Sequence, residues 1–92
     1  MIGMEFEWDD AKAESNWKKH EVDFHEAATI FGDPLAITFV DPDHSADEDR
    51  YITIGRSNNG RLLIVSHTDR QEKVRIISAR RTTTAERKLY EE

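Results

Sequence analysis

No cysteine occurs among the 92 residues. That absence excludes a disulfide framework and any thiolate metal site, and it fits an intracellular compartment. No apolar run approaches the ~18 residues of a membrane span, and no signal-peptide hydrophobic stretch follows Met1. The expectation is a cytoplasmic protein with no membrane partner. Internal repeats, linkers and low-complexity segments are missing too. One domain over residues 1–92 is expected, with residues 1–4 as a disordered lead-in or an alternative start at Met4. Such a chain buries somewhat over ~60% of its unfolded surface. Two Trp, four Phe and two Tyr can supply one modest core.

Basic residues are scarce in the first half. Residues 1–49 hold 14 acids against three lysines, or −11, while residues 50–92 hold ten Lys and Arg against five acids, or +5. The net charge is −6. A pI near 5.2 argues against a nucleic-acid binder, but asymmetry between halves can hide a local phosphate-binding surface. The basic half peaks in Val74-Arg75-Ile76-Ile77-Ser78-Ala79-Arg80-Arg81, arginines set on a strand-like pattern.

Phe6-Glu7-Trp8 reads as a short extended start. Asp9 or Asp10 can then N-cap a helix to about His20, with Ala13, Trp17 and His20 on one face. Trp8 and Trp17 are expected in the core. A second helix starts at Asp23, with Glu26 completing a capping-box-like pair, and stops at Gly32 and Pro34. Strands are expected over Leu35–Val40, Tyr51–Arg56, Arg61–Thr68 and Val74–Arg80, with Asn58-Asn59-Gly60 as a tight turn. Thr83 and Glu86 form a second capping box at the head of a terminal helix. The order β-α-α-β-β-β-β-α predicts an α+β fold: a small antiparallel sheet with two N-terminal helices, one C-terminal helix, and the helices on one face. By strand parity Arg75 and Arg81 share a face and Arg80 takes the other. A bulge or strand end near Arg80 would bring them together.

The chemically suggestive group is His67, Arg70, Arg75, Arg80 and Arg81, with Glu86 and Tyr90 on the following helix. RNA cleavage without a metal needs a base for the 2′-OH, cations for the pentacoordinate phosphate and an acid for the 5′-oxygen. His, Glu and Tyr transfer protons, and Arg forks match phosphate oxygens. The plainer alternative is a solvated strand whose arginines pair with Glu72 or Glu86. Asp41-x-Asp43-x-Ser45-x-Asp47-x-Asp49 has oxygen ligands at alternate positions, like a calcium loop. Ala46 and Ile52 stand where that loop needs Gly and Glu, so a solvated acidic loop is expected. His20, His25 and His44 share no metal-site spacing. Lys18, Lys19 and His20 suit the negative end of a helix dipole.

Phe6-x-Trp8-Asp9-x-x-Lys12-x-x-x-Asn16-x-x-Lys19-His20, then Phe24-x-Glu26-Ala27, resembles the opening of the BrnT family of bacterial type II toxins. His67-Thr68-Asp69-Arg70 is similar to that family's middle motif, and Arg75-Ile76-Ile77-Ser78-Ala79-Arg80 with Glu86 and Tyr90 to its close. The resemblance runs from Phe6 to Tyr90. It implies a RelE-type fold and a metal-independent endoribonuclease, needing no cofactor, that stops translation. It also implies a BrnA-like ribbon-helix-helix antitoxin, with DNA reached only through that partner. His67, Arg70, Arg75 and Arg80 become candidates for the RNA site, with Glu86 and Tyr90 as further candidates that can instead contact antitoxin. Lys19 and His20 match the opening motif. The alternative is a non-catalytic antitoxin-binding module acting in transcriptional autoregulation.

Overall fold

The computed structural model describes residues 3–43 and 49–92. The middle of the calcium-like loop, including Ser45, Ala46 and Asp47, lies outside the described residues, as does His44. Strand β1 (Phe6–Glu7) leads into α1 (Asp10–His20) and α2 (Phe24–Thr29), which tightens into a 3-10 turn at Ile30–Gly32. Strands β2 (Ile37–Val40), β3 (Arg50–Arg56), β4 (Leu62–Arg70) and β5 (Lys73–Arg81) follow, and α3 (Thr84–Glu91) ends the chain. The sheet order is β1-β5-β4-β3-β2.

The sheet is mixed, which corrects the all-antiparallel expectation. β1 runs parallel to β5, Phe6 opposite Val74 and Glu7 opposite Arg75. The residues between these two strands form both helices and the three middle strands, so the first strand closes the sheet beside the last. β2 starts two residues later than its apolar run suggests. The Asp33 side chain accepts the Leu35 N–H at 2.9 Å, and its backbone carbonyl accepts Ala36 N–H at 3.1 Å, holding that stretch in a turn.

α1 begins where Asp9 accepts the N–H groups of Ala11 and Lys12 at 2.8 and 3.1 Å. It ends at Glu21, in the left-handed region at φ 54°, whose N–H reaches the Trp17 carbonyl. The residue that docks α1 is Asn16. Its amide donates to the carbonyls of Val22 and Ala79 at 3.0 and 2.8 Å and accepts the Ala79 N–H at 3.0 Å. Each bond is buried, so losing one leaves a desolvated group unpaired at a cost of about 1–3 kcal/mol. Trp17 is not in the core: it is 53% exposed, contrary to expectation. Trp8 packs edge-on against Phe24 and His25 and is half-buried.

Asp23 caps α2 as expected, but Glu26 does not close a box with it. Glu26 instead takes a two-pronged pair from Arg61 and a 2.7 Å bond from the Ser57 hydroxyl. That network ties α2 to the β3–β4 turn. Gly55 lets β3 pass the 3-10 turn, because a Cβ there would sit 3.1 Å from atoms of Ile30 and Ala36. Phe24, Ala27 and Ile30 then seal against Leu63, Val65, Ile76 and Ala79. Complete burial of side chains such as Phe24 and Ile30 stabilises the fold by about 1.5–3 kcal/mol each.

Only α1 and α2 lie on that face. α3 packs through Tyr90 on the opposite face, over Ile54, Leu62 and Ile64. The expectation of three helices on one side is corrected accordingly. Among the described residues no helix covers the rest of the second face, although Thr68 is buried there, its hydroxyl donating to the Asp49 carbonyl at 2.6 Å.

Candidate functional site

The open face is built by strand register. Opposite partners in antiparallel strands share a face. Leu62, Ile64, Ser66, Thr68 and Arg70 of β4 therefore stand with Arg50, Ile52, Ile54 and Arg56 of β3. On β5 the partners of Ile64, Ser66, Thr68 and Arg70 are Arg80, Ser78, Arg75 and Lys73. Between Ser66 and His67 the register slips by one, leaving Ile77 as an extra residue in β5. Ile76 joins the helix-side core, and Ile77 lies beside Lys12, Asn16 and Lys19 of α1. Both isoleucines thus turn to the covered side. Arg75 and Arg80 emerge together on the other, while Arg81 opposes Leu63 on the helix side.

Each arginine is held by a carboxylate. Arg80 makes a fork to Glu86, Nη1 to Oε1 at 2.8 Å and Nη2 to Oε2 at 2.9 Å. The Arg80 guanidinium holds the Glu86 carboxyl below its usual range, against the effect of burial. Glu86 also closes the capping box with Thr83, so one side chain serves both the helix start and the arginine. Arg75 makes a single contact to Glu7 at 3.2 Å. The pairing of Arg80 with Glu86 is the one that the plainer sequence reading anticipated.

Tyr90 secures the far end of α3, donating to Asp33 Oδ2 at 2.6 Å. The Asp33 carboxylate raises the Tyr90 pKa, so the phenol stays protonated at neutral pH. Burial works to raise the Asp33 carboxyl, but the bond from Tyr90 and the N–H groups of Arg56 and Leu35 bring it below its ordinary value. Arg56 lies 5.8 Å from the centre of the Tyr90 ring.

His67 is not among these groups. It opposes Ile76 on the covered face and is 5% exposed, edge-on to Phe31 and stacked with Tyr51. Its Nε2 is 2.7 Å from the Thr53 hydroxyl, which is in turn 2.7 Å from that of Thr38. Its Nδ1 is buried with no hydrogen-bond partner. Burial lowers the His67 pKa, keeping the ring neutral. The structure thus brings Arg70, Arg75, Arg80, Glu86 and Tyr90 to one side of the sheet and leaves His67 on the other. Lys19 and His20 are exposed in the last turn of α1, also on the helix side.

Arg50 and Arg56 share the open face, which sequence reasoning missed. Their even spacing with Ile52 and Ile54 in β3 was the available signal. Among the described residues no three His, Asp or Glu side chains gather into a metal-binding group.

Residues 8–86 match the family described as ribonuclease toxin, BrnT, of type II toxin-antitoxin system. The chain belongs to the BrnT family. No curated protein matches it. The fold is similar to the crystal structure of the Brucella abortus ribonuclease toxin, BrnT, with a TM-score of 0.65 and 25% identity. That likeness covers 89% of this chain and all of the Brucella chain. Membership of the BrnT family implies ribonuclease chemistry and a protein antitoxin as partner. Among the described residues no helix is long and apolar enough to cross a membrane.

Proposed function

We propose that this chain is a metal-independent endoribonuclease toxin of RelE type that arrests growth by stopping translation. A BrnA-like ribbon-helix-helix antitoxin neutralises it and carries the pair to DNA. The observation that carries the reading is the convergence of Arg75 and Arg80 on one open, basic sheet face. Two guanidiniums on one face suit a phosphate that gains charge during attack by the neighbouring 2′-OH.

The Arg80–Glu86 fork supports the following sequence of events. Phosphate oxygens match an Arg fork as carboxylate oxygens do, so an incoming RNA phosphate displaces Glu86. Glu86 then loses the cation that depresses its pKa and becomes a stronger base. It takes the 2′-OH proton, while Arg75 and Arg80 stabilise the pentacoordinate phosphate. Tyr90 supplies a proton to the departing 5′-oxygen after its hydroxyl turns from Asp33 to the RNA, the Asp33 bond it leaves being what holds it protonated beforehand. Arg70 extends the cationic track along the strand. His67 contributes through the packing of Phe31 and Tyr51, not through proton transfer.

The test is cleavage of a defined RNA by purified wild type, Arg75→Ala and Arg80→Ala, each with and without EDTA. Expected is a rate loss of about 10²–10³ in each variant, with EDTA changing nothing. Equal cleavage by all three proteins would remove the assignment. A second reading, a non-catalytic antitoxin-binding module, is favoured by the carboxylates already paired with both arginines. It predicts a stable antitoxin complex and no cleavage by wild type.

A further inference from the structure

We propose that the groove between α1, α2 and the β3–β4 turn is a docking surface for a basic segment of the protein antitoxin, with Trp17 as its anchor. This rests on the toxin–antitoxin reading and adds where the partner sits. Trp17 is 53% exposed on a helix whose contact with β5 is made by Asn16. A large exposed indole next to a cavity suits an interface anchor, since Trp is enriched at binding hot spots and covering it removes much apolar area at little entropic cost. The groove has a volume of about 530 Å³, and Trp17, Glu21, Asp23, His25, Asn58 and Asn59 line it.

Its charge selects the occupant. The Glu26 carboxylate on the groove floor is already neutralised by Arg61, whereas Glu21 and Asp23 are exposed at the mouth. An arginine or lysine laid over the Trp17 ring gains a cation–π contact and a carboxylate partner together. RNA is disfavoured, because the same carboxylates repel phosphate. The walls are pre-organised: Glu26, Arg61 and Ser57 tie the turn to α2, and Asn58 N–H bonds Thr29 Oγ1 at 3.0 Å. A partner therefore orders little on arrival.

The groove opens on the helix side, across the sheet from Arg75 and Arg80. Docking there is consequently separable from the basic face. Trp17→Ala removes the anchor. The double variant Glu21→Gln/Asp23→Asn removes the charges and keeps α2 capped, because asparagine is as good an N-cap as aspartate.

Binding of the cognate antitoxin would be measured calorimetrically for wild type and both variants. Growth arrest would be scored with and without the antitoxin, and thermal melting would confirm folding. Expected are affinities at least about tenfold weaker for each variant, a wild-type affinity that falls with salt, and variants that arrest growth yet escape the antitoxin. Variants binding within twofold of wild type would overturn the docking surface and leave the toxin–antitoxin reading intact. Absence of binding by wild type would overturn that reading and the docking surface with it.

Discussion

Arg75 and Arg80 project from the same face of β5 although they are five positions apart, a spacing that puts residues of a regular strand on opposite faces. The extra residue, Ile77, reverses the parity between them. Bulges recur where a strand must re-aim a side chain. Here the gain is mutual: Ile76 and Ile77 both find apolar or helix-side surroundings, and both guanidiniums reach the open side.

The proposed double role of Glu86, clamp on Arg80 and base for the 2′-OH, predicts opposite effects on binding and turnover. Glu86→Gln weakens the fork that competes with RNA for Arg80, so RNA binds more tightly. It also removes the base, so turnover falls by about 10² or more. Steady-state kinetics should show KM and kcat falling together. A kcat unchanged from wild type would leave Glu86 a purely structural residue.

His67 ties stability to pH. Its folded pKa lies below the ordinary value of 6.5 because burial disfavours the charged ring. The unfolded chain therefore binds the proton first as pH drops. Stability is full above about 6.5 and declines as pH falls below it. Urea midpoints at pH 7.5 and 5.5 should differ, and His67→Gln should shrink that difference. RNA cleavage by folded His67→Gln should stay within a few-fold of wild type, whereas a loss of 10² would return the ring to the chemistry.

The elements of this fold were legible where local rules act alone. Asp9, Asp23 and Thr83 cap as their types predict, and Asn58-Asn59-Gly60 turns. What sequence could not supply was tertiary. Nothing local says that β1 runs alongside β5, or that Glu26 prefers Arg61, 35 positions on, to its own helix start. The site followed the same division. Arg75, Arg80 and Glu86 stand out as candidates by type and order, but their common face depends on a bulge that no residue advertises. His67 carries the right chemistry for proton transfer, and only strand register shows that it points away.

The Glu26–Arg61 pair links α2 to the β3–β4 turn. Arg61 holds the Glu26 carboxyl down at about 2, from an ordinary 4.5. Its contribution is complete above pH 4.5 and is lost as pH falls toward 2. Glu26→Gln leaves Arg61 facing a neutral amide and should cost about 3 kcal/mol at neutral pH. Acid titrations followed by circular dichroism should show a weaker dependence between pH 4.5 and 2 in that variant. Identical acid profiles would refute the link.

The β4–β5 hairpin stores strain that can be removed. Arg70 pairs with Lys73, so Gln71 and Glu72 form a two-residue turn, and both lie in the left-handed region at φ 52° and 67°. A turn of this kind favours Asn-Gly, because a side chain at positive φ crowds the backbone. Each unfavourable residue costs on the order of 1 kcal/mol. Gln71→Asn/Glu72→Gly keeps the loop length and the register, and it places no new group near Arg80 or Trp17. The double variant should gain about 1 kcal/mol in denaturant unfolding, after subtracting the extra freedom of Gly in the unfolded chain. RNA cleavage should be unaltered. A destabilised variant would mean that Gln71 or Glu72 makes contacts worth more than the strain.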